Sequence, residues 1–304
     1  MSGGATPISP RISILLLCWN HAQFLEQCIA SLAAQNEHDF EILFLDNVSS
    51  DGSFELAQAL FDRFDLTATM LRNDQPQPIP ANFNRLLAES NGDIVAPLST
   101  DDWYEPDYVA ALAAAAESAP EAGWFSCSGW LYFDSEGRSE PVDETRFVTD
   151  RPIGDVILDG GEPHFFVGCG YRRSALAAVG GWDERQLIED RDLFLRLSQH
   201  FSHHRIPRRL VHYRRSSAAA SANAGFMLDG WERFFTKHAA AFGRRLTARR
   251  AETYRSYAAL LTDQGQHGPA VAAIGKAMRL RPLAPLNWRT LAYLMRRAFA
   301  RQAE

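Results

Sequence analysis

The chain has 304 residues, which is enough for one large domain with an appendage or for two ordinary domains. Its 46% hydrophobic and 22% charged residues are typical of folded proteins and exclude wholesale disorder. The net charge of −6 excludes a global basic field, so we expect no nucleic-acid partner. The 4 cysteines show neither a C-x-x-C pair nor zinc spacing, and the surroundings of Cys18 and Cys28 predict buried thiols in a reducing cytosol.

No stretch of the sequence is long and apolar enough to cross a bilayer. The run 12–19 is far too short, and the polar residues before it contain no basic segment typical of a secretion signal. We therefore expect a cytoplasmic protein that is neither secreted nor an integral membrane protein. Peripheral contact with the inner face of a membrane stays open.

The first hundred residues alternate between strand and helix patterns. The apolar run at 11–17 is typical of a strand covered on both faces, and further strands are predicted at 41–45, 68–71 and 94–98. Each run is followed by a polar turn and a helical stripe of apolar residues. Four such units in succession predict an open α/β sheet with right-handed crossovers.

Elements after residue 120 are less regular. Aromatic residues predict further strands at 123–133, and 210–213 has the pattern of a last strand. Short helices are predicted at 173–179 and 189–199, and the histidines at 200, 203 and 204 are expected to be solvated in a polar turn. The small polar stretch 216–224 is typical of a linker. We therefore predict domains at 1–224 and 225–304, the second with helices only.

Polar side chains follow each of the first four predicted strands. They include Asn20 after the first, Asp46 after the second, Asn73 after the third and Asp101 after the fourth. In open α/β sheets, ligands bind at the carboxyl ends of the strands. Four separate polar clusters on one edge therefore indicate a ligand site there.

Four separated motifs resemble the family 2 glycosyltransferases with the GT-A fold. They are CWNHAQFLEQCIASLAAQ, EILFLDNVSSDGS, NRLLAESNGDIVAPLSTDDWYEPD and GGWDERQLIEDRDLFLRL, and the resemblance covers about residues 12–215. It implies a GT-A-like, Rossmann-like fold: an open, mixed, mainly parallel sheet with a small all-helical C-terminal appendage. It also implies metal-dependent transfer of a sugar, with inversion, from a nucleotide diphosphate sugar (UDP favoured) to an acceptor hydroxyl. The acceptor would be a glycan, a lipid-linked molecule or a protein in surface polysaccharide or glycan assembly.

The resemblance assigns one group of residues to the nucleotide. These are Cys18, Trp19, Asn20, Asp46, Asn47, Asn84, Ser99 and Thr100. Asp46 is expected to accept hydrogen bonds from the base or the ribose. The alternative is that Asp46 only caps the turn before the next helix.

The metal is assigned to the segment that matches the family's D-x-D motif. Asp101 is the expected ligand of Mn²⁺ or Mg²⁺, which would neutralise the diphosphate. The first aspartate of the pattern is Ser99 here, a departure from the family. His212 is a candidate third ligand, and an ordinary strand histidine is the alternative. Asp101 could also be only a helix cap.

The block at 189–192 matches the family's acidic motif at the start of a helix. Inverting transfer needs a base that takes the proton of the acceptor hydroxyl, and Asp190 is our first choice, with Glu189 second. Acidic residues are also favoured at helix N-termini without any catalytic role. The residues assigned to sugar, acceptor or phosphate are Asp102, Trp182 and Arg214. Asp102 could equally order the loop, Trp182 could stack on a sugar face, and Arg214 could bind phosphate as a fork.

The helical tail contains AVAAIGKAMRLRP, which resembles one tetratricopeptide-like hairpin. One such unit cannot bury its own face, so we expect it to pack on the catalytic domain or on a partner. The last helix, 286–300, is basic and amphipathic, and either packs on the hairpin or contacts a membrane or a protein.

Two other functions stay open. Ser99 is compatible with a nucleotide- or glycan-binding module that has lost catalysis, although Asp101 and Asp190 are retained. A metal-dependent nucleotidyltransferase would need a Gly-rich basic phosphate loop after the first strand, and CWNHAQ has neither property.

Overall fold

In the computed structural model, strand and helix alternate through the first four strands, as the sequence predicts. The structure describes residues 11–147, 150–215 and 222–301, with side chains as far as 297, and most of the predicted linker 216–224 lies outside these residues. The strands are β1 (Ile12–Cys18), β2 (Phe40–Asp46), β3 (Ala68–Arg72), β4 (Ile94–Ser99), β5 (Trp103–Tyr104), β6 (Ala122–Phe133), β7 (Arg138–Pro141), β8 (Gly170–Arg172) and β9 (Ser202–Arg215).

The helices are α1 (Ala22–Ala33), α2 (Ser53–Arg63), α3 (Ile79–Glu89), α4 (Tyr108–Ser118), α5 (Ile153–Leu158), α6 (Arg173–Val179), α7 (Glu189–Leu197), α8 (Ala224–Lys237), α9 (Ala239–Phe242), α10 (Arg245–Asp263), α11 (His267–Leu280) and α12 (Pro285–Arg301). A short 3-10 helix covers Glu144–Phe147. No helix of the described residues is both long enough and apolar enough to span a membrane. All 4 cysteines are free and buried, as predicted for Cys18 and Cys28.

The described strands form one nine-stranded sheet in the order β3-β2-β1-β4-β8-β6-β9-β5, with β7 paired to β6. Strands β3, β2, β1 and β4 are parallel, and β6 runs parallel to β9. The pairs β4–β8, β6–β8, β6–β7 and β5–β9 are antiparallel. The predicted open, mixed sheet is therefore confirmed, and its longest ladders are the parallel ones.

Strand β1 lies at the centre of the parallel half because its residues are apolar on both faces. All seven of its residues are buried, as expected for a strand covered by helices on both sides. The register aligns Cys18 with Asp46 of β2 and Leu17 with Ser99 of β4. The loops that follow these three strands therefore begin side by side at one edge of the sheet.

Strand β9 is much longer than the predicted segment 210–213. Its first half is rich in histidine and arginine, which hides the strand pattern. The prediction that His203 is solvated is wrong, because its ring nitrogen Nε2 lies 2.8 Å from Ser126 Oγ in the neighbouring strand β6. Burial, with smaller contributions from His164, His204 and Arg205, lowers the pKa of His203 to about 2, so this ring is neutral.

The chain divides into two compact units, and each is described by itself. The first contains the residues up to Gly154 with Glu162–Glu184 and Glu189–Arg215. The second contains Asp155–Gly161, Arg185–Ile188 and the helices that follow residue 215. The division after β9 lies close to the predicted boundary at 224, but the helical unit also includes two short segments from the first region.

The helical unit has a core of its own. Small residues of α11, namely Ala270, Ala273 and Ala277, pack with Tyr254 and Ala258 of α10, and small side chains let the two helices approach closely. Leu294 of α12 joins the same core. The last helix therefore packs on the predicted hairpin, which is one of the two roles predicted for that helix.

Candidate active site

Asp46 ends strand β2 and has a side chain that is 0% exposed. Its Oδ2 accepts a hydrogen bond from the Ser49 backbone N–H at 3.0 Å and lies 3.4 Å from Arg72 Nε. Its Oδ1 is buried and has no hydrogen-bond partner among the described residues. A buried acceptor without a donor costs free energy, so this oxygen fits a site for a ligand N–H or O–H.

The turn after β1 is tied to the turn after β2 by Asn20, which adopts a left-handed conformation with φ of 54°. Its side-chain Oδ1 accepts from Ser50 N–H at 2.8 Å, and its backbone N–H donates to Ser49 Oγ at 2.8 Å. Trp19, just before it, is 58% exposed and offers a bare indole face beside the loop. Asn20 therefore builds the turn, while Trp19 is the residue with free surface.

Cys18 differs from its predicted role. Its side chain is 0% exposed, and burial raises the pKa of the thiol, opposed in part by hydrogen bonds with Thr100 and Ser53. A buried neutral thiol is a core residue, so we no longer assign the Cys18 side chain to the nucleotide.

Asn47 and Asn84 also hold loops together. Asn47 Oδ1 accepts from Gln77 N–H and from Asn73 Nδ2, both at 2.8 Å, and its Nδ2 donates to Gln77 O at 3.0 Å. Asn84 bonds to both backbone polar groups of Trp182, at 2.8 Å and 3.0 Å. In both amides the oxygen and the nitrogen already have partners in the protein, so their part at the site is to position backbone.

The loop after β4 carries the two carboxylates of the predicted metal segment. Asp101 Oδ1 is buried and has no hydrogen-bond partner among the described residues. Asp102 is 3% exposed, and its Oδ1 accepts from the Arg214 backbone N–H at 2.8 Å. Burial, and then the charge of Asp101, raise the pKa of Asp102 well above its usual range. Asp102 therefore anchors the loop, and Asp101 is the carboxylate left without a partner.

Arg214 is the cationic residue that holds this loop. Its Nε donates to the Asp101 carbonyl oxygen at 3.0 Å, Nη2 donates to Gln27 Oε1 at 2.6 Å, and Nη1 pairs with Asp134. The side chain is 5% exposed. The predicted phosphate fork does not fit this arrangement, because the guanidinium is buried and its three nitrogens already have acceptors.

His21 contributes to the same loop, although the sequence analysis did not select it. Its Nδ1 lies 2.9 Å from Thr100 Oγ1, which itself donates to the Leu17 carbonyl oxygen at 3.3 Å. Burial lowers the pKa of His21, while the charges of Asp101 and Asp51 oppose that shift. The lowered pKa favours the neutral form of the His21 ring beside Asp101. The Thr100 hydroxyl is already hydrogen-bonded to His21 and Leu17 within the protein. The only signal in the sequence was its place directly after Asn20.

His212, the predicted third metal ligand, lies on β9 opposite Trp103. Its Nε2 is 2.6 Å from Glu105 Oε1, and its ring stacks on Trp103 with a centroid distance of 4.6 Å. The described residues contain no group of three or more His, Cys, Asp or Glu side chains that could hold a metal ion. Magnesium-type cations at phosphate sites often use one or two carboxylates together with phosphate oxygens and water, and the unpartnered Asp101 oxygen fits such a site.

Trp182 is 2% exposed and packs against Phe83 and Tyr171, with ring centroids at 5.5 Å and 5.7 Å. No face of the indole is open, so the predicted stacking of Trp182 on a sugar does not fit the structure. Phe83 belongs to α3, so the Trp182 ring packs the loop before α7 against that helix.

Glu189 and Asp190 begin α7, where acidic side chains face the positive end of the helix. Both are half-buried. Burial, and then repulsion from Asp190, raise the pKa of Glu189 to about 8. Burial also raises the pKa of Asp190 to about 6, while the charge of Arg191 opposes the rise. Burial therefore raises the pKa of both carboxyls, and repulsion from Asp190 adds to the rise for Glu189.

Comparison with known proteins identifies the family and supports the fold. Residues 13–180, more than half of the chain, match Glycosyl transferase family 2. The chain therefore belongs to that family. The EpsH protein of Bacillus subtilis (strain 168) is 25% identical over 173 residues, which are 56% of this chain and 49% of EpsH. The chain thus spans about half the length of that relative.

Two solved structures share the fold. S. aureus TarS in complex with UDP-GlcNAc superposes with a TM-score of 0.59 at 13% identity, covering 89% of each chain. The mannosyltransferase PcManGT of Pyrobaculum calidifontis, with GDP-Man and Mn²⁺, gives 0.60 at 18% identity and covers 96% of this chain and 87% of that one. Identities this low compare folds only, and they confirm the predicted GT-A-like α/β architecture.

Proposed function

We propose that this protein transfers a sugar from a nucleotide diphosphate sugar, preferably a UDP-sugar, to an acceptor hydroxyl with the help of Mn²⁺ or Mg²⁺. The observation that carries the proposal is a pair of buried carboxylate oxygens without partners, Asp46 Oδ1 and Asp101 Oδ1. Asp46 ends β2 and Asp101 follows β4, the two strands that flank β1. The nucleoside of a bound donor would give a partner to Asp46 Oδ1, and the cation on its diphosphate would give a partner to Asp101 Oδ1.

Asp46 is the proposed contact to the nucleoside. Its Oδ1 would accept from a base N–H or a ribose hydroxyl, and a charged acceptor makes a strong hydrogen bond there. The exposed indole of Trp19 is placed in the adjoining turn, where it can border the base. TarS was solved with UDP-GlcNAc and PcManGT with GDP-Man, so both nucleotides belong in the test.

Asp101 is the proposed protein ligand of the cation. When bound, a divalent cation neutralises the two phosphates and stabilises the departing diphosphate. The residues around Asp101 keep it in place: Asp102 accepts the Arg214 backbone N–H, and the Arg214 guanidinium holds the Asp101 carbonyl oxygen. We assign Asp102 and Arg214 as positioning residues, and His212 stays a candidate additional ligand.

Asp190 is the proposed base. It ionises near pH 6, so at neutral pH it is largely a carboxylate that can accept the proton of the acceptor hydroxyl. That hydroxyl oxygen forms the new bond to the anomeric carbon as the bond to the diphosphate breaks. Attack from the face opposite the leaving diphosphate inverts the configuration. Glu189, which keeps its proton to higher pH, is the second choice.

The acceptor is proposed to be a glycan, a lipid-linked molecule or a protein in the assembly of a surface polysaccharide or glycan. A cytoplasmic location, with or without peripheral contact to the inner face of a membrane, is proposed from the four buried free thiols, which are typical of a reducing compartment.

The test is a panel of UDP- and GDP-sugars with and without Mn²⁺, scored by thermal shift and by release of the nucleotide diphosphate. We expect one of the two nucleotides to raise the melting temperature, and to do so only when the cation is present. Release of the nucleotide diphosphate should increase when an acceptor is added. Stabilisation without any release, across the panel and with glycan acceptors, would instead favour a binding module that has lost catalysis. No stabilisation by any nucleotide would contradict the proposal.

A further inference from the structure

The helical unit contains a cavity of about 340 Å³ that no proposed step of sugar transfer uses. Ligand pockets in proteins typically occupy roughly 300–1,000 Å³, so this space is large enough for a small molecule. All of its charged lining residues come from the helical unit: Arg245, Arg249, Arg255, Arg281, Asp159 and Glu252.

The charges of this lining do not balance. Arg245 pairs with Asp159 at 3.4 Å, and Arg249 Nη1 lies 3.1 Å from Glu252 Oε2. The guanidinium groups of Arg255 and Arg281 have no ion pair or hydrogen bond within the described part of the chain. The lining therefore has an excess of two positive charges, carried by two side chains that are available to a ligand.

Arg249 is held firmly at the same cavity. Its side chain is 19% exposed, and its guanidinium centre lies 5.2 Å from the centre of the Trp231 ring. It packs over Gly160, where φ is +77° and a Cβ atom would come within 1.7 Å of Nη2. Its Nε is buried and has no hydrogen-bond partner among the described residues. A fixed, partly unsatisfied guanidinium is a prepared donor for an anion.

We infer that this cavity binds a terminal phosphate group, either of a small phosphorylated molecule or of a lipid whose headgroup is a phosphate monoester. A compact dianion would balance the two uncompensated arginines, and a carboxylate carries only one charge. Guanidinium groups match phosphate oxygens as bidentate donors. Ala284 and Leu286 line the same cavity and offer apolar contact to the rest of such a ligand. This site is separate from the residues proposed for the donor nucleotide.

The test uses the full chain with EDTA and with no phosphate or sulfate in the buffer. Pyrophosphate and inorganic phosphate are titrated by calorimetry, and vesicles that contain phosphatidic acid are used for cosedimentation. The variant is Arg255→Gln with Arg281→Gln. The matched control is Arg279→Gln with Arg289→Gln, which removes two exposed arginines that do not line the cavity. None of these four arginine side chains has an ion pair or hydrogen bond to the described residues, so both double variants should keep the melting temperature of the wild type.

We expect the cavity variant to lose affinity for pyrophosphate or for vesicles by about tenfold or more, and the control to change less than about twofold. If the cavity variant loses affinity for pyrophosphate and vesicle binding is absent or unchanged, the ligand is a free phosphorylated molecule. Vesicle binding that disappears in the cavity variant, and that pyrophosphate displaces from the wild type, identifies a headgroup. If both double variants lose the same affinity, the binding is only nonspecific attraction to the positive surface. That result, or no binding in either arm, overturns the inference.

Discussion

The pH dependence of sugar transfer depends on which of the two adjacent carboxyls at the start of α7 is the base. The pKa of Asp190 is raised to about 6 and that of Glu189 to about 8, mainly by burial. An aspartate with an ordinary pKa of about 3.9 would be ionised throughout the range from pH 5 to 8. A base must be deprotonated to act, so the rate should increase with pH and reach its plateau above the pKa of the base.

The size of the effect follows from the pKa. If Asp190 is the base, about one tenth of it is ionised one pH unit below its pKa, so the rate at pH 5 should be about tenfold below the plateau. Asp190→Asn should remove this pH dependence and lower turnover by about 10²–10⁴-fold. Its donor affinity should stay nearly unchanged, because a base acts only in the transition state.

Glu189→Gln is the matched control, since glutamine resembles the protonated form that Glu189 has near pH 6. This variant should keep a rate increase near pH 6. The assay is acceptor-dependent nucleotide release from pH 5 to 9 at saturating donor and cation, with donor affinity and melting temperature measured at each pH. A flat profile between pH 5 and 8, or wild-type turnover in Asp190→Asn, would refute the assignment. A rate increase near pH 8 that only Glu189→Gln removes would move the base one residue earlier.

Three further predictions concern the nucleotide and metal residues. Asp46→Asn should weaken free UDP and UDP-sugar by similar factors, about tenfold for one charged hydrogen bond, and unchanged UDP affinity by calorimetry would make Asp46 a turn former only. Asp101→Asn should abolish cation-dependent binding of UDP at an unchanged melting temperature, whereas cation-dependent binding like that of the wild type would contradict its role as ligand. Arg214→Gln should destabilise the fold by about 1–2 kcal/mol in chemical denaturation, because it removes the hydrogen bonds of a buried guanidinium to Asp101, Gln27 and Asp134, and should also weaken cation binding; an effect on neither would show that the Asp101 loop does not depend on it.

The elements that the sequence predicted well are those whose burial is uniform. Strand β1 is apolar at every position except Ser13 and is buried at every position, so its pattern is unambiguous. Strand β9 has 14 residues and was predicted over only four of them. Its first half contains His203 and Arg205, whose polar groups bond to Ser126 and Glu144. Such pairing depends on residues far away in the chain, and no local periodicity reports it.

In the site, too, local sequence predicted some features, while others depend on residues far away in the chain. Asp46 and Asp101 follow apolar strands inside recognisable motifs, so their positions were predictable. The role of Arg214 was not, because it depends on Gln27 and Asp134, residues 187 and 80 positions away in the chain. The burial of Trp182 likewise depends on Phe83 of α3. A motif indicates which residues meet a ligand, but the tertiary partners of each side chain decide whether it is free to do so.

Ser99 stands where the family pattern has an aspartate, and the structure suggests how the loop works without it. Burial raises the pKa of Asp102, whose Oδ1 accepts the Arg214 backbone N–H, so Asp102 holds the loop. Asp101 then provides one carboxylate with one unpartnered oxygen. One carboxylate holds a divalent cation weakly in water, and phosphate oxygens of the nucleotide would supply most of the strong ligands that remain. Cation binding in this protein should therefore depend on the nucleotide diphosphate, so that donor and metal enter the site together.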